Sequence, residues 1–185
     1  MSSENTHAKI TYEGSSMLIR KAKPEDIPRI AQIHLKSWQT TYKGILPKNY
    51  LDSLTEKNKE QEWHKLGLDY PNGQGITWVL ENEGEVFGFA NAGPQREPPI
   101  AGHGEVYCIY ILKEFRRMGG GQLLIKEIVK YFKSRGYHSA SALILKGNPF
   151  TDFYKLIGAE PTEERPFKLD GMDLIQILYL WKNIK

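Results

Sequence analysis

A basic, glycine-rich turn carries the residue types that bind anions. Two adjacent arginines, Arg116 and Arg117, are followed after one residue by three consecutive glycines. The first turn of a helix leaves backbone N–H groups without intrahelical partners and carries roughly half a positive charge. Glycine lets a phosphate approach those amides, and arginine adds fixed charge beside them. A pyrophosphate would therefore fit this turn if a helix begins at the glycines.

The elements flanking the turn are predicted to be a strand and a helix. Residues 106–112 form an unbroken apolar, β-branched and aromatic run, typical of a strand buried on both faces. After the glycines, apolar residues recur at three- and four-residue steps from Leu124 to Phe132, which predicts an amphipathic helix. The turn therefore connects a central strand to a helix N-terminus.

Two familiar phosphate-binding patterns do not match. The turn has neither the spacing G-x-x-x-x-G-K-[ST] of a P-loop nor the G-x-G-x-x-G of a dinucleotide-binding unit. It reads Arg116-x-x-Gly119-x-Gly121 instead. This resembles the acyl-CoA-binding signature [Q/R]-x-x-G-x-[G/A] of the GNAT (general-control-related N-acetyltransferase) superfamily.

A second motif supports the resemblance. An apolar strand at residues 141–145 is followed by Asn148-Pro149 and then by Phe153-Tyr154-x-x-x-Gly158. This is similar to the second GNAT motif, in which an Asn after a strand precedes a short helix with an aromatic-Tyr pair and a glycine. The resemblance extends from about residue 18 to residue 181, over most of the chain.

The resemblance implies both a fold and an activity. The fold is α/β (α+β), with a mixed, largely antiparallel sheet of about six to seven strands. Helices cover both faces, and the central strands splay apart in a V. The activity is acetyl-CoA-dependent transfer of an acetyl group to a primary amine of a small molecule or protein, directly within a ternary complex. Acetyl-CoA is the cosubstrate.

The catalytic residues follow from the same resemblance. Tyr154 matches the general acid for the departing thiolate, and a phenol with pKa near 10 suits that task. Glu105, at the start of the central strand, is the first candidate for the base, and His103 is the alternative. The other reading of Glu105 is a carboxylate that binds the ammonium or is solvated at a strand end.

The residues assigned to coenzyme A lie in the central strand, the glycine turn and the second motif. Backbone amides of the strand would hold the pantetheine arm, and Asn148 would bond it unless it only forms an Asn-Pro turn. These residues are Ile109, Tyr110, Ile111, Arg116, Arg117, Met118, Gly119, Gly120, Gly121, Gln122, Asn148 and Phe153. Trp38 and Tyr42, four residues apart, are candidates for an aromatic wall that binds the acceptor amine, or for packing of the helix end.

Composition limits the other possibilities. The chain has 185 residues, 40% apolar content and a formal charge of +3, which suits one globular domain and no nucleic-acid partner. The single cysteine, Cys108, excludes an internal disulfide, leaves no zinc site and favours the cytoplasm; mid-strand, it is expected to be an inert thiol. No apolar stretch reaches membrane-span length. Residues 1–16 are expected to form a flexible tail, with a short extended piece at residues 10–12, and residues 17–185 a single domain.

Further elements can be predicted from periodicity. Helices are expected over residues 27–38 and 56–66, a hairpin over 75–92, and a last strand over 172–181 at the end of the sheet.

Some alternatives stay open at this level. The fold could serve as a catalytically silent acyl-CoA sensor, or the glycine turn could belong to a phosphate-binding regulatory domain unrelated to coenzyme A. The length of the acyl group and the identity of the acceptor cannot be read from these residues. The last strand is compatible with a homodimer.

Overall fold

A computed structural model describes residues 8–12, 15–96 and 98–184 of the chain. The strands are β1 (Ala8–Tyr12), β2 (Ser15–Lys21), β3 (Ile76–Asn82), β4 (Glu85–Pro94), β5 (His103–Ile111), β6 (Ser139–Leu145), β7 (Glu160–Leu169) and β8 (Met172–Trp181). The helices are α1 (Ile27–Thr41), α2 (Lys48–Ser53), α3 (Glu56–Leu66), α4 (Gly120–Ser134) and α5 (Thr151–Leu156). None of these described helices combines the length and the apolar character needed to span a membrane.

The strands form one mixed sheet in the order β1-β2-β3-β4-β5-β6-β8-β7. Every neighbouring pair is antiparallel except β5 and β6, which are parallel. The predicted largely antiparallel sheet with helices on both faces is therefore confirmed. It has eight described strands, where six to seven were expected, and β1 pairs with β2 at the edge of the sheet.

The ends of the sheet differ from the sequence-based expectation. Residues 8–12 pair with β2, so this part of the expected tail belongs to the sheet, while residues 1–7, 13 and 14 lie outside the described residues. The prediction that β8 ends the sheet is wrong. β8 lies between β6 and β7, and β7 forms the edge, because the tight hairpin at residues 170–171 folds β7 onto the outer side of β8.

Helices α1 and α4 cover opposite faces of the central strands. On the α1 face, His34 stacks on Tyr110 of β5, with ring centroids 4.9 Å apart. On the α4 face, Phe132 packs so closely on Gly104 of β5 that a Cβ there would lie 2.7 Å from the ring. Gly104 and Tyr110 thus point to opposite faces, although strict alternation would give them the same one.

A β-bulge in β5 explains this change of face. The pairing with β4 passes from Asn91 opposite Cys108 to Ala92 opposite Val106, which leaves Tyr107 without a partner. One extra residue reverses the alternation of side chains beyond it. The residues with even numbers after the bulge, Cys108 and Tyr110, therefore face α1.

Strands β5 and β6 separate soon after they meet. Only residues 103–105 of β5 pair with β6, at residues 139–141, although β5 continues to Ile111 and β6 to Leu145. The predicted splay is confirmed, and it leaves the β6-facing edge of β5 without a sheet partner beyond Glu105. This opening is where the candidate site lies.

Candidate active site

Each glycine of the turn is required by a different feature of the structure. Gly119 is the N-cap of α4 and has φ of +83°, a left-handed conformation that favours glycine. A Cβ on Gly120 would lie 2.7 Å from Cδ1 of the buried Leu80, so this residue lets α4 pack on the sheet. A Cβ on Gly121 would lie 3.0 Å from the ring of Phe153, so this residue lets α4 approach α5. No side chain caps the first turn of α4, and its amides are available to a ligand.

Positive charge surrounds the same helix end. Lys113, Arg116 and Arg117 line the cavity described below, and Asp152 is the acidic residue among the described lining residues. Arg116 donates from Nε to the carbonyl of Ile111 at 2.8 Å, and its guanidinium lies 4.7 Å from the ring centroid of Phe150. Burial lowers the pKa of Arg116 from its ordinary value, and the nearby Glu114 raises it. A guanidinium stays charged in proteins. The site therefore presents fixed cations to an anionic ligand.

A cavity of about 810 Å³ joins the splay to this helix end. Its lining includes most of the residues predicted to bind coenzyme A, and the predicted acid Tyr154. Those predicted residues are Ile109, Tyr110, Ile111, Arg116, Arg117, Gly119, Gly121, Gln122, Asn148 and Phe153. Met118 and Gly120 do not line it, and neither do Glu105, Trp38 and Tyr42.

Asn148 has the two roles that its sequence context indicated as alternatives. Its Oδ1 accepts the backbone N–H of Phe150 at 2.8 Å, which is the Asx turn expected of an Asn-Pro pair. This bond leaves Nδ2 as the outward group, 3.5 Å from the hydroxyl of Tyr42. The side chain also borders the cavity, so its turn geometry does not exclude contact with a ligand.

Tyr154 lies at the inner end of the cavity, on α5. Its ring packs against Tyr179 and Trp181 of β8 and leaves 7% of the residue exposed. Burial raises the pKa of the Tyr154 phenol, and the neighbouring Tyr42, Cys108 and Tyr179 raise it further. Within the described part of the chain, no hydrogen bond restrains its hydroxyl. It is a protonated phenol at neutral pH, as a general acid must be.

Trp38 and Tyr42 contact each other at an inner wall behind the cavity. Their ring centroids are 5.1 Å apart, and Trp38 donates from Nε1 to the hydroxyl of Tyr110 at 2.8 Å. The ammonium of Lys59 lies 4.9 Å from the centroid of the Trp38 ring and pairs with Glu62 at 2.8 Å. Lys59 therefore occupies the position over the Trp38 ring that the sequence suggested for an acceptor amine. The binding of an acceptor by Trp38 and Tyr42 stays a prediction.

Glu105 is sealed away from the cavity. It is 3% exposed. One carboxylate oxygen pairs with the guanidinium of Arg96 at 2.5 Å, and the other accepts the backbone N–H of Arg96 at 3.0 Å. The guanidinium in turn lies over the ring of Tyr107 at 4.4 Å. The structure gives this carboxylate a structural partner, and its predicted role as a base stays a prediction.

Two other candidates, His103 and Cys108, also lie outside the cavity lining. His103 is 7% exposed, lies 2.7 Å from Ser139 through Nδ1 and does not line the cavity, and burial lowers its pKa. Burial raises the pKa of Cys108 to about 12. The thiol is therefore protonated at neutral pH, as its place in the apolar strand predicted.

Sequence reasoning missed several lining residues. They are Thr41, Lys113, Pro149, Phe150, Asp152 and Leu156. Lys113 precedes the predicted arginines, and most of the others flank the second motif, so proximity to the motifs could have indicated them. Thr41, at the end of α1, reaches the site only through the packing of α1 on the sheet.

Comparisons with known proteins agree with this geometry. The model of the acetyltransferase (GNAT) family matches residues 29–159. The chain belongs to the GNAT acetyltransferase family. An uncharacterised N-acetyltransferase of Bacillus subtilis, YuaI, is 34% identical over 166 residues, which are 90% of this chain and 93% of that protein. The N-acetyltransferase class expected from the sequence is thereby confirmed.

Two further GNAT proteins are informative. The spermidine N(1)-acetyltransferase of Thermoplasma acidophilum is 25% identical over 144 residues, covering 76% of this chain and 86% of that protein. The crystal structure of PaiA N-acetyltransferase from the same organism, in complex with coenzyme A, superimposes with a TM-score of 0.69 at 22% identity. It covers 87% of this chain and 97% of that one, and it confirms the GNAT fold.

Proposed function

We propose that this protein transfers an acetyl group from acetyl-CoA to a primary amine, by direct attack within a ternary complex. The observation that carries the proposal is the cavity at the β5–β6 splay. It joins an uncapped helix N-terminus and three cations at one end to the buried phenol of Tyr154 at the other. Coenzyme A supplies a pyrophosphate for the first end and a thioester for the second.

The residues present fit coenzyme A. Gly121 leaves space against Phe153 that a Cβ would fill, beside amides that no side chain caps. The free edge of β5 at residues 109–111 would bind the amide groups of the pantetheine arm in the manner of an added strand. Lys113, Arg116 and Arg117 would compensate the phosphate charge.

The protein's part in the transfer is positioning and proton delivery. The amine nitrogen attacks the acyl carbon, a C–N bond forms and the C–S bond breaks with its electron pair on sulfur. Tyr154 donates its proton to that sulfur and regains one from solvent, while the amine loses its proton to water. Cys108 is protonated and does not line the cavity, which favours direct transfer over an acyl-enzyme.

The contacts of Glu105 support a role in positioning. Its two oxygens are occupied by Arg96, and its side chain does not border the cavity. We therefore assign to Glu105 the positioning of the loop at residue 96, and not proton abstraction. The cytoplasmic location and the homodimer expected from the sequence stay predictions.

The first experiment is calorimetric titration with acetyl-CoA, followed by thiol release with a panel of amines. Spermidine heads the panel because the 25% identical relative is named for it, and an amino acid, an aryl amine and a peptide with a free N-terminus follow. We expect binding that Gly121→Glu abolishes, since a carboxylate would then occupy the phosphate position. Binding without turnover on any amine would instead support a silent acyl-CoA sensor, and absence of binding would refute both.

A further inference from the structure

The hydroxyl of Tyr110 is a point where polar side chains converge from behind the cavity. Trp38 donates to it from Nε1 at 2.8 Å, and the hydroxyl of Tyr42 lies within hydrogen-bonding reach. The ring is fixed by stacking on His34, with centroids 4.9 Å apart and planes inclined by 23°. Tyr110 itself lines the cavity. Tyr110 is thus a cavity-lining residue whose side chain is held in place by Trp38 and His34.

The direction of these hydrogen bonds can be worked out from the donors. An indole N–H can only donate, so Tyr110 accepts from Trp38. Asn148 uses Oδ1 for the N–H of Phe150, so its Nδ2 is the group that donates to Tyr42. Tyr42 can accept a second hydrogen bond, so without a ligand it is the described neighbour toward which Tyr110 directs its proton. A carbonyl oxygen bound in the cavity would take the proton of Tyr110 in place of Tyr42, whose own proton could then turn toward Tyr110.

The surroundings keep this group a donor. Burial raises the pKa of Tyr110 well above its ordinary value, and the neighbouring Tyr42 and Cys108 raise it further. The phenol therefore keeps its proton at neutral pH. A hydroxyl that accepts a hydrogen bond, as Tyr110 does from Trp38, is also a stronger donor, because hydrogen bonds in a chain polarise one another.

We propose that the Tyr110 hydroxyl donates a hydrogen bond to the acyl carbonyl oxygen of the bound thioester, with Trp38 and Tyr42 as its positioning residues. The inference rests on the proposed function. Tyr110 belongs to β5, whose amides are proposed to hold the acyl arm, whereas Tyr154 belongs to α5, beyond β6. The two phenols therefore have separate tasks: Tyr110 stabilises charge on the carbonyl oxygen, and Tyr154 protonates the sulfur.

Infrared difference spectroscopy of bound acetyl-CoA, labelled with carbon-13 at the thioester carbonyl, tests this without any acceptor. A donor to the oxygen weakens the C=O bond, so we expect a carbonyl band at lower frequency on the protein than in water. Tyr110→Phe should remove part of that shift, and Trp38→Phe a smaller part. Tyr154→Phe should leave the band in place. The matched control is Tyr131→Phe, which removes a hydroxyl that donates to the carbonyl of Gln74, away from the cavity.

Kinetics supply the second readout once an amine is found. Tyr110→Phe should lower kcat on the order of 10²-fold, as loss of one oxyanion donor does, with KM for acetyl-CoA changed less than about threefold. The proposal would be overturned if the carbonyl band of acetyl-CoA bound to Tyr110→Phe had the same frequency as on the parent protein. It would also be overturned if Tyr154→Phe, and not Tyr110→Phe, moved the band. In either case the binding of acetyl-CoA would still stand. If thermal unfolding shows that Tyr110→Phe does not fold, Trp38→Phe decides alone, and an unchanged band there would refute the proposed network.

Discussion

Glu105 binds both the side chain and the backbone of Arg96. The guanidinium of Arg96 pairs with one carboxylate oxygen of Glu105 at 2.5 Å, and the backbone N–H of Arg96 donates to the other at 3.0 Å. The pair connects the start of the β4–β5 loop to the first residues of β5, where β5 still pairs with β6. It therefore stabilises the place at which the two halves of the sheet begin to separate.

Arg96→Ala should destabilise the protein because it leaves the 3% exposed carboxylate of Glu105 without its charged partner. We expect a loss of about 3 kcal/mol, at the low end for a broken buried pair because Arg96 is partly exposed. Glu105→Gln should cost about 1–2 kcal/mol, since an amide still accepts the N–H of Arg96. Urea denaturation of both variants measures these values.

The same Glu105→Gln variant tests the base role. If Glu105 only positions the loop, the folded variant should keep kcat within about tenfold of the parent. A loss on the order of 10²–10⁴-fold at unchanged stability would restore Glu105 as the base. Arg96→Gln is the matched control, because it breaks the same pair while leaving the carboxylate in place.

Gly120→Ala and Gly121→Ala should affect different properties. The Cβ at residue 120 meets Leu80, which is fully buried and cannot move freely, so overpacking should cost about 1–3 kcal/mol of stability. The Cβ at residue 121 meets the half-buried ring of Phe153 beside the cavity, so we expect weaker binding of acetyl-CoA with little loss of stability. Thermal unfolding measures the stability of both variants, and calorimetry measures their binding of acetyl-CoA. Identical effects of the two substitutions would contradict the prediction.

Arg116→Ala should weaken binding of acetyl-CoA by roughly tenfold or more, since charge-assisted hydrogen bonds contribute about 1.5–3 kcal/mol each. Acetyl-pantetheine, which has no phosphates, should bind the variant and the parent equally. The comparison separates phosphate binding from the structural bond that Arg116 makes with the carbonyl of Ile111. Equal losses for both ligands would mean that the structural bond dominates.

Stability should be greatest between about pH 6.5 and 9, given the ordinary pKa values of His and Cys. Burial, and then the nearby Lys59, lower the pKa of His34 well below its ordinary value. The unfolded chain therefore binds a proton that the folded state does not, and stability falls as pH drops below the ordinary value of His. Burial raises the pKa of Cys108 to about 12, so stability falls as the thiol of the unfolded chain ionises at alkaline pH.

Denaturation midpoints from pH 5 to 10 measure both limbs of this curve. His34→Gln, which keeps an acceptor for Trp63, should flatten the acid limb, and Cys108→Ala should flatten the alkaline limb. Unaltered slopes in both variants would assign the pH dependence to other groups.

The parts of the fold that local patterns encode were predictable. The helix at Glu56–Leu66 and the strand–turn–helix around the glycines follow from periodicity and from glycine's conformational freedom. Two sequence motifs were enough to indicate most of the cavity lining. Tertiary packing decides the rest. Examples are the pairing of Glu105 with Arg96, the contact of Lys59 with Trp38, and the position of β8 between β6 and β7. No local sequence pattern indicates which of these partners meet.

The bulge at Tyr107 makes the site depend on chain length as well as on residue identity. The extra residue shifts the alternation of side chains by one position. Deleting a single residue there would exchange the two faces of β5 from residue 108 onward, turning Cys108 and Tyr110 toward α4 and the isoleucines toward α1. Every side chain from residue 108 onward would still be present, yet the Tyr110 phenol would be lost to the cavity. Across relatives, the segment between Glu105 and Tyr110 should therefore tolerate substitutions far better than insertions or deletions.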